Sequence, residues 1–168
     1  DVVGFTKLSA TVQPLELVTV LDEVFLEFDA LADRYGVEKI KTIGDCYMVA
    51  AGVPRERPDH ATALVGMALD MRELVASRTF AGHRLAFRIG LNSGPVVAGV
   101  IGRRKFIYDL WGDTVKLARG IESDGRASIL VTRPVYERVH ELVGFGPATR
   151  ADVHGMGSIE LFSVLDEA

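Results

Sequence analysis

The sequence predicts an α+β fold in which helices pack on a largely antiparallel sheet. Along the chain, segments with apolar residues at helical spacing are followed by short segments in which apolar and polar residues alternate, as in strands. The resulting order of elements, with a hairpin between two helices, suits helices packed on one sheet. The 168 residues suit one core, and no internal repeat, low-complexity segment or linker divides them. We expect residues 1–168 to form one domain.

Four stretches have helical patterns. Residues 14–35 carry apolar residues at helical spacing, with Pro14 suited to a first turn and Gly36 to the position after the last turn. A second helix is predicted from Asp59 to Leu74, where Asp59 is a good cap. Shorter helices are predicted from Asp113 to about Ile121 and over residues 134–142.

Short runs around turn residues predict the strands. Residues 37–43 and 46–50 flank Gly44-Asp45 and predict a β-hairpin. Further strands are predicted over residues 85–92, 96–100, 105–110, 129–131 and 159–164, with a loop at 123–125.

Charge and composition exclude several classes of function. The 19 basic and 23 acidic residues give a net charge of −4, which offers no electrostatic argument for nucleic acid or an anionic membrane. The one basic run is Arg103 to Lys105, and the longest charge-free stretch, residues 89–102, is too short to span a membrane. A single cysteine, Cys46, suits a reducing, cytoplasmic compartment. Because the chain opens on Asp1 without a methionine, we expect a fragment of a longer protein.

Two carboxylates are the leading candidates for chemistry. Asp1 ends a predicted strand before a glycine turn, and Asp45 lies at the tip of the hairpin. Either is explained by turn conformation when taken alone. Together, at the ends of neighbouring strands, they suit a pair of Mg²⁺ or Mn²⁺ ions held against a nucleotide triphosphate.

Three other charged residues are weaker candidates. Lys41 suits a solvated strand face, as does its neighbour Lys39, and Arg88 suits a surface position. Asp109 lies beside Leu110 and Trp111 on a predicted inner strand, where an acidic side chain needs a partner or a ligand. The sequence has no GxSxG, Walker or GxGxxG motif, so acyl transfer, P-loop hydrolysis and dinucleotide chemistry lack support.

Four ordered segments resemble the catalytic domain of class III nucleotidyl cyclases, and among these the bacterial, mycobacterial-type adenylate cyclases. The segments are DVVGFT from Asp1, EKIKTIGDCYM from Glu38, RIGLNSGPV from Arg88 and FIYDLWGDTV from Phe106. The resemblance implies a ferredoxin-like α+β core that works as a head-to-tail homodimer or heterodimer. The implied reaction converts ATP to 3′,5′-cyclic AMP and pyrophosphate.

The resemblance also implies roles for particular residues. Asp1, Asp45 and the backbone carbonyl of Val2 match the ligands of two Mg²⁺ or Mn²⁺ ions. The amides of Gly4, Phe5 and Thr6 would approach the triphosphate, and Arg88 matches an arginine that contacts phosphate. Lys41 and Asp109 match the pair that recognises adenine; a guanylate cyclase would be expected to have Glu and Cys there.

The sequence departs from the family on the helix after Gly112. The family places an Asn and an Arg at i, i+4 there, and this chain has Lys116 and Gly120. Arg119 lies one residue away, displaced by about 100° around the helix. A late lysine of the family is replaced by His154. Lys116 and Arg119 are therefore the candidates for the catalytic cations.

Three hypotheses follow. The first is an adenylate cyclase, with activity lowered by these replacements, since loss of one charge-stabilising donor costs on the order of 10² to 10³ in rate. The second is a cyclase-like domain that binds nucleotide, or only dimerises, without turnover. The third is another two-metal nucleotidyl enzyme, such as a diguanylate cyclase or polymerase palm, although the hairpin lacks the Gly-Gly-Asp/Glu-Glu-Phe signature.

Overall fold

The computed structural model describes residues 1–121 and 128–165. The predicted loop at 123–125 lies outside these residues. The helices are α1 (Phe5–Thr11), α2 (Pro14–Tyr35), α3 (His60–Ser77), α4 (Asp113–Gly120) and α5 (Arg133–Val139). The strands are β1 (Glu38–Ile43), β2 (Cys46–Ala50), β3 (Arg88–Leu91), β4 (Val97–Ile101), β5 (Ile107–Trp111), β6 (Ser128–Thr132), β7 (Thr149–Val153) and β8 (Gly157–Ser163).

The strands confirm the predicted α+β class with a largely antiparallel arrangement. One four-stranded sheet has the order β3-β6-β8-β7, and two hairpins, β1-β2 and β4-β5, accompany it. Only the β3–β6 pair is parallel among the described strands. An isolated antiparallel bridge between Val2 and Phe87 brings the start of the chain beside β3. The sheet thus gathers segments that are far apart in sequence.

Helix α2 has the bounds that the sequence predicts. Pro14 occupies its first turn, and Gly36 ends it in the left-handed conformation at φ 62°. The Val37 amide then donates to the Ala32 carbonyl at 3.0 Å, which closes the helix end. Val20, Val24 and Phe28 recur every four residues and are buried, so one stripe of α2 faces the core.

Two apolar clusters form the core, and α3 contributes to both. The first joins α2 to α3 and the sheet through Phe28, Met67 and Phe87. The second joins α3 to β6 and α5, with Val65 and Val131 at its centre. Burial of each such side chain stabilises the fold by roughly 1.5 to 3 kcal/mol. Because α3 packs in both clusters, it fixes the β1-β2 hairpin relative to the four-stranded sheet.

Several elements differ from the sequence prediction. The sequence does not predict α1, the strand that it predicts up to Asp1 is an isolated bridge at Val2, and the helix predicted over residues 134–142 ends at Val139. Strand β7 was not predicted, because its alternation is short, with Ala151 and Val153 as its only apolar residues. Pairing with β8 orders this segment. The strand predicted over residues 85–92 is shorter, since β3 covers Arg88–Leu91. Within the described residues, no helix is long and apolar enough to cross a membrane.

Candidate active site

Asp1 and Asp45 lie close together, as the sequence predicts. The Val2 amide donates to Oδ2 of Asp45 at 3.0 Å. Asp45 follows Gly44, whose φ of 58° allows the tight turn between β1 and β2. The Arg88 amide donates to the Asp1 carbonyl at 2.9 Å, so β3 holds Asp1 at the same place. The pairing of three separate segments therefore brings the two carboxylates together.

The side chain of Arg88 pairs with one of these carboxylates, that of Asp1. Its Nε donates to Oδ1 of Asp1 at 3.1 Å, and its Nη2 donates to Oδ2 at 2.9 Å. This two-point geometry matches the planar guanidinium to the planar carboxylate. A permanent cation thus lies directly beside the candidate metal ligands. The sequence placed Arg88 on a polar strand face, but gave no sign of this partner.

The carboxylates line one wall of an open cleft of about 1470 Å³. The cleft runs between the β1-β2 hairpin, β3 and α4. Its lining includes the candidate residues Asp1, Lys41, Asp45, Arg88 and Arg119. Gly4, Phe5, Thr6, Asp109 and Lys116 are not among the described lining residues. The structure therefore brings part of the predicted site into one cavity of one chain.

The donors at this wall fit a hard divalent cation. Asp1 and Asp45 supply carboxylate oxygens, which Mg²⁺ and Mn²⁺ prefer. Among the described residues, no group of three His, Cys, Asp or Glu side chains converges on a metal position. Two carboxylates are nonetheless a sufficient protein contribution for Mg²⁺, which is commonly held by one or two carboxylates together with substrate phosphates. The chemistry of the donor set therefore fits ions that arrive with a nucleotide.

Gly4, Phe5 and Thr6 form the start of α1. Gly4 precedes the helix in the left-handed conformation at φ 70°, and no side chain caps this end of α1 in the described structure. The first amides of a helix have no partner within the helix. The helix start follows Asp1 and Val2 in sequence, but Gly4, Phe5 and Thr6 do not themselves line the cleft.

Lys41 and Asp109 form an ion pair. Nζ of Lys41 lies 2.5 Å from Oδ2 of Asp109, and the side chains are 34% and 15% exposed. The other Asp109 oxygen accepts from the Leu110 amide at 2.8 Å. The Lys41 hydrogen bond holds the pKa of Asp109 below its usual range, against the opposing effect of burial. Asp109 therefore has the partner that its sequence context requires, and it stays ionised at neutral pH.

Lys39 and Lys41 do not share a solvated face, which corrects the simplest sequence interpretation. The register of β1 against β2 shifts between the two residues, so a bulge interrupts their alternation. Lys39 pairs with Asp29 of α2 at 2.8 Å, whereas Lys41 pairs with Asp109 of β5. Both lysines have acidic partners on different elements, and a bulge of this kind leaves no clear sequence signal.

The departures on α4 have distinct environments. Lys116 is exposed, and its Nζ lies 3.7 Å from Oδ1 of Asp113. Arg119 lines the cleft. A Cβ atom added at Gly120 would lie 2.6 Å from Cγ1 of Val153, so position 120 faces β7. His154 is exposed in the turn between β7 and β8. Of the two candidate cations, Arg119 is the one at the cleft.

Asn92 is a further residue at the cleft, and its local sequence does not reveal its contacts. Its side-chain amide donates to the Thr114 carbonyl at 3.1 Å, and its oxygen accepts from the Thr132 hydroxyl at 2.7 Å. In the sequence Asn92 belongs to an Asn-Ser-Gly-Pro turn, which indicates only the end of a strand. Both partners lie more than 20 residues away, so no local pattern could reveal them.

The chain belongs to the family described as "Adenylate and Guanylate cyclase catalytic domain", which it matches over residues 1–166. This finding confirms the resemblance in the four sequence segments. The protein is therefore a nucleotidyl cyclase catalytic domain, a lyase-type domain that binds nucleotide.

Relatives of both substrate classes are similar to the chain. An adenylate cyclase of Mycobacterium tuberculosis is 48% identical over 143 residues, covering 84% of this chain and 32% of that protein. The receptor-type guanylate cyclase gcy-28 of Caenorhabditis elegans is 39% identical over 161 residues, covering 94% and 13%. The chain thus spans about a third or less of the length of these two relatives.

A solved structure is similar over the full chain. The guanylate cyclase domain of RhGC from Catenaria anguillulae, in complex with GTP, superimposes with a TM-score of 0.92 at 36% identity. The match covers 100% of this chain and 93% of that one. The cyclase fold predicted from the resemblance is therefore confirmed.

Proposed function

We propose that this domain is an adenylate cyclase that converts ATP to 3′,5′-cyclic AMP and pyrophosphate at a dimer interface. The ion pair of Lys41 and Asp109 is the observation that carries the choice of ATP. Oxygen 3′ of the ribose bonds to the α-phosphorus, the bond from that phosphorus to the β-phosphate bridging oxygen breaks, and the 3′-hydroxyl proton leaves to solvent. Since the reaction consumes ATP and makes a diffusible signal, we assign it to cytoplasmic signalling.

The Lys41–Asp109 pair is suited to the edge of adenine. Lysine donates to the N1 acceptor, and the Asp109 carboxylate accepts from the 6-amino group. Guanine presents a donor at N1 and an acceptor at position 6, so it would face this pair with the wrong polarity. The lowered pKa of Asp109 keeps the carboxylate ionised at neutral pH. We assign the pair to the cleft of the partner subunit because the resemblance to class III cyclases implies it, although Lys41 also lines the cleft of its own chain.

We assign the triphosphate of the nucleotide to the carboxylate wall, the side of the cleft that Asp1 and Asp45 line. Asp1, Asp45 and the Val2 carbonyl would hold two Mg²⁺ or Mn²⁺ ions, which supply charge neutralisation of the triphosphate and a more acidic 3′-hydroxyl. We assign Arg88 to a phosphate oxygen because the resemblance implies it and because Arg88 lines the cleft beside Asp1. The amides of Gly4, Phe5 and Thr6 are assigned to the triphosphate because helix starts attract anions.

Arg119 is our assignment for the cation that stabilises charge at the α-phosphate. It lines the cleft that contains Asp1 and Asp45. Lys116 is 74% exposed and faces Asp113, so we assign it a secondary role in attracting the nucleotide. A preorganised cation at the reacting phosphate contributes on the order of 10² to 10³ in rate.

The β4-β5 hairpin supports assembly as a dimer. It exposes six large apolar side chains, and their exposed fractions range from 37% for Trp111 to 79% for Phe106. Contiguous exposed apolar surface on one element is typical of a protein interface. A homodimer formed through this hairpin would bring the Lys41–Asp109 pair of one chain to the carboxylate wall of the other. A heterodimer with a second cyclase domain would do the same for one cleft.

A second candidate is a domain that binds nucleotide but has lost turnover. The observation that favours it is Gly120. This residue has no side chain to place in the cleft, and Val153 leaves no room for a Cβ atom there. Such a domain would retain base recognition and dimerisation, which depend on β1 and β5 rather than on α4.

Cyclic nucleotide formation from Mn²⁺-ATP and Mn²⁺-GTP distinguishes these functions. We expect cyclic AMP from the parent protein, and a loss of at least about 100-fold in the Asp45→Asn variant. The asparagine oxygen can still accept from the Val2 amide, so this variant removes charge rather than the turn. Asp22→Asn, at an exposed position of α2, is the matched control. Saturable ATP binding without product would instead support the second candidate, and preferential cyclic GMP formation would contradict the base assignment.

A further inference from the structure

Alternate residues at the end of β3 contact α4. A Cβ added at Gly90 would lie 2.7 Å from the Ala118 carbonyl oxygen, and one added at Gly94 would lie 2.7 Å from Oγ1 of Thr114. Asn92, between them, donates to the Thr114 carbonyl at 3.1 Å. The backbone thus lies close to α4 at Gly90 and Gly94, and the side chain of Asn92 forms a hydrogen bond with the helix between them. We call this surface the α4 seat.

The α4 seat is anchored to the core through Asn92. The Asn92 oxygen accepts from the hydroxyl of Thr132 at 2.7 Å. Thr132 is 1% exposed and is the one buried polar residue among those that the structure describes. A buried hydroxyl that lost this acceptor would pay a desolvation cost, so the contact fixes the Asn92 amide plane. Asn92 consequently links β6 to the first turn of α4.

Both ends of α4 are held. At its start, the Thr114 hydroxyl donates to the Pro95 carbonyl at 2.7 Å. At its end, Gly120 abuts Val153 of β7. Arg119 directly precedes this contact and lines the cleft. Because the helix is one rigid element, its seating on β3 determines where the Arg119 backbone lies relative to Asp1 and Asp45.

We propose that Asn92 is a positioning residue that sets the placement of α4, and through it the placement of Arg119 at the cleft. This inference rests on the proposed function for its catalytic consequence. Asn92 also lines the cleft, but its amide nitrogen and oxygen are engaged with Thr114 and Thr132, so we assign it to act through α4 rather than on the nucleotide. A loose seat should therefore lower kcat, leave KM for ATP nearly unchanged and leave the preference for ATP over GTP intact.

The test uses two variants and one control. Asn92→Asp keeps an oxygen for Thr132 but replaces the donor to Thr114 with an oxygen. Gly90→Ala pushes a Cβ against the Ala118 carbonyl. Gly144→Ala is the control, since its Cβ would meet nothing closer than 3.8 Å and its φ is not positive. Each is measured for kcat, KM, the ratio of ATP to GTP turnover, and amide hydrogen exchange in α4 and α2.

Both seat variants should lower kcat by about 10- to 100-fold, as expected for a displacement of about 1 Å at a reacting group, with KM changed less than about threefold. Exchange in α4 should rise at least about fivefold while α2 stays protected. The control should match the parent. Unchanged kcat and unchanged α4 exchange in Asn92→Asp would overturn the inference.

The exchange measurement distinguishes failure of the proposed function from failure of the positioning role of Asn92. If the parent makes no cyclic nucleotide, the proposed function fails, and faster α4 exchange in the variants still supports the seat. If the parent is active and the variants lose KM or base preference as much as kcat, the positioning role is wrong while the proposed function stands. If Asn92→Asp does not fold, the Gly90→Ala results decide.

Discussion

Gly120 of α4 faces Val153 of β7 so closely that a Cβ atom at position 120 would lie 2.6 Å from Cγ1 of Val153. Real Cβ atoms do not approach a carbon this closely, so either α4 or the valine must shift to admit a side chain. The glycine and the valine therefore depend on each other. An arginine cannot simply be restored at position 120 to match the family.

The first prediction concerns restoring the Asn and Arg of the family at positions 116 and 120 of α4. We expect Lys116→Asn with Gly120→Arg to lower the melting temperature, because overpacking of this kind costs about 1 to 3 kcal/mol. Adding Val153→Ala should recover most of that loss and raise cyclic AMP formation above that of the double variant. The measurements are thermal unfolding and turnover, with Val153→Ala alone as the control. Equal stability of the double variant and the parent would contradict the packing argument.

A second prediction concerns base selection. Replacing Lys41 by Glu and Asp109 by Cys together should reverse the preference from ATP to GTP, because the pair would then accept at guanine N1 and donate to its position 6 oxygen. Lys41→Glu alone should weaken both nucleotides, since it places two carboxylates together. Competition between ATP and GTP in one assay gives the ratio of kcat/KM values directly. An unchanged ratio in the double variant would show that another surface selects the base.

A third prediction follows from the lowered pKa of Asp109. A carboxyl group whose pKa is lower in the folded state stabilises that state above its unfolded pKa, and the stabilisation is lost as pH falls through the folded value. We expect Asp109→Asn to lower the free energy of unfolding at pH 7 by at most about 1 kcal/mol, since Lys41 is a third exposed.

The pH dependence provides the check on that prediction. Urea unfolding of the parent and of Asp109→Asn is compared from pH 7 to pH 3. The difference between them should persist across the neutral range and shrink only below the usual range of an aspartate. A difference that disappeared between pH 7 and pH 6 would mean that the Lys41–Asp109 pair does not lower the pKa of Asp109.

Helices α2 to α5 and the β1-β2 hairpin follow from local sequence, whereas α1 was not predicted. Pro14 and Gly36 define α2 at both ends, and Gly44 with Asp45 defines the turn that carries a candidate metal ligand. The site needed more than local signals. The Asn92–Thr132 bond, the Gly120–Val153 contact and the Lys41–Asp109 pair join residues 33 or more positions apart. Such contacts are set by how elements pack, and single-sequence patterns do not encode them.

A fourth prediction concerns the exposed hairpin. Replacing Val100 and Phe106 by Ser should weaken self-association at least about tenfold, because each buries apolar surface in the proposed interface. Sedimentation velocity over a concentration series measures this effect. Leu142→Ser is the matched control, since Leu142 is 64% exposed and lies outside the hairpin. If the control weakens association as much as the hairpin variant, the interface lies elsewhere.

The most direct test of the account is complementation between two inactive chains. Asp45→Asn removes the carboxylate wall, and Lys41→Met removes base recognition. In a head-to-tail dimer each cleft takes its wall from one chain and its base-recognising pair from the other, so each mixed dimer contains one intact cleft.

We therefore predict that each variant alone forms almost no cyclic AMP from Mn²⁺-ATP, and that an equal mixture recovers about a quarter of the parent activity, since half of the dimers are mixed and each has one of two clefts intact. Recovery should follow subunit exchange over time. A mixture that stays as inactive as its components, although the mixed dimer forms, would contradict a shared cleft built from Asp1, Asp45, Lys41 and Asp109.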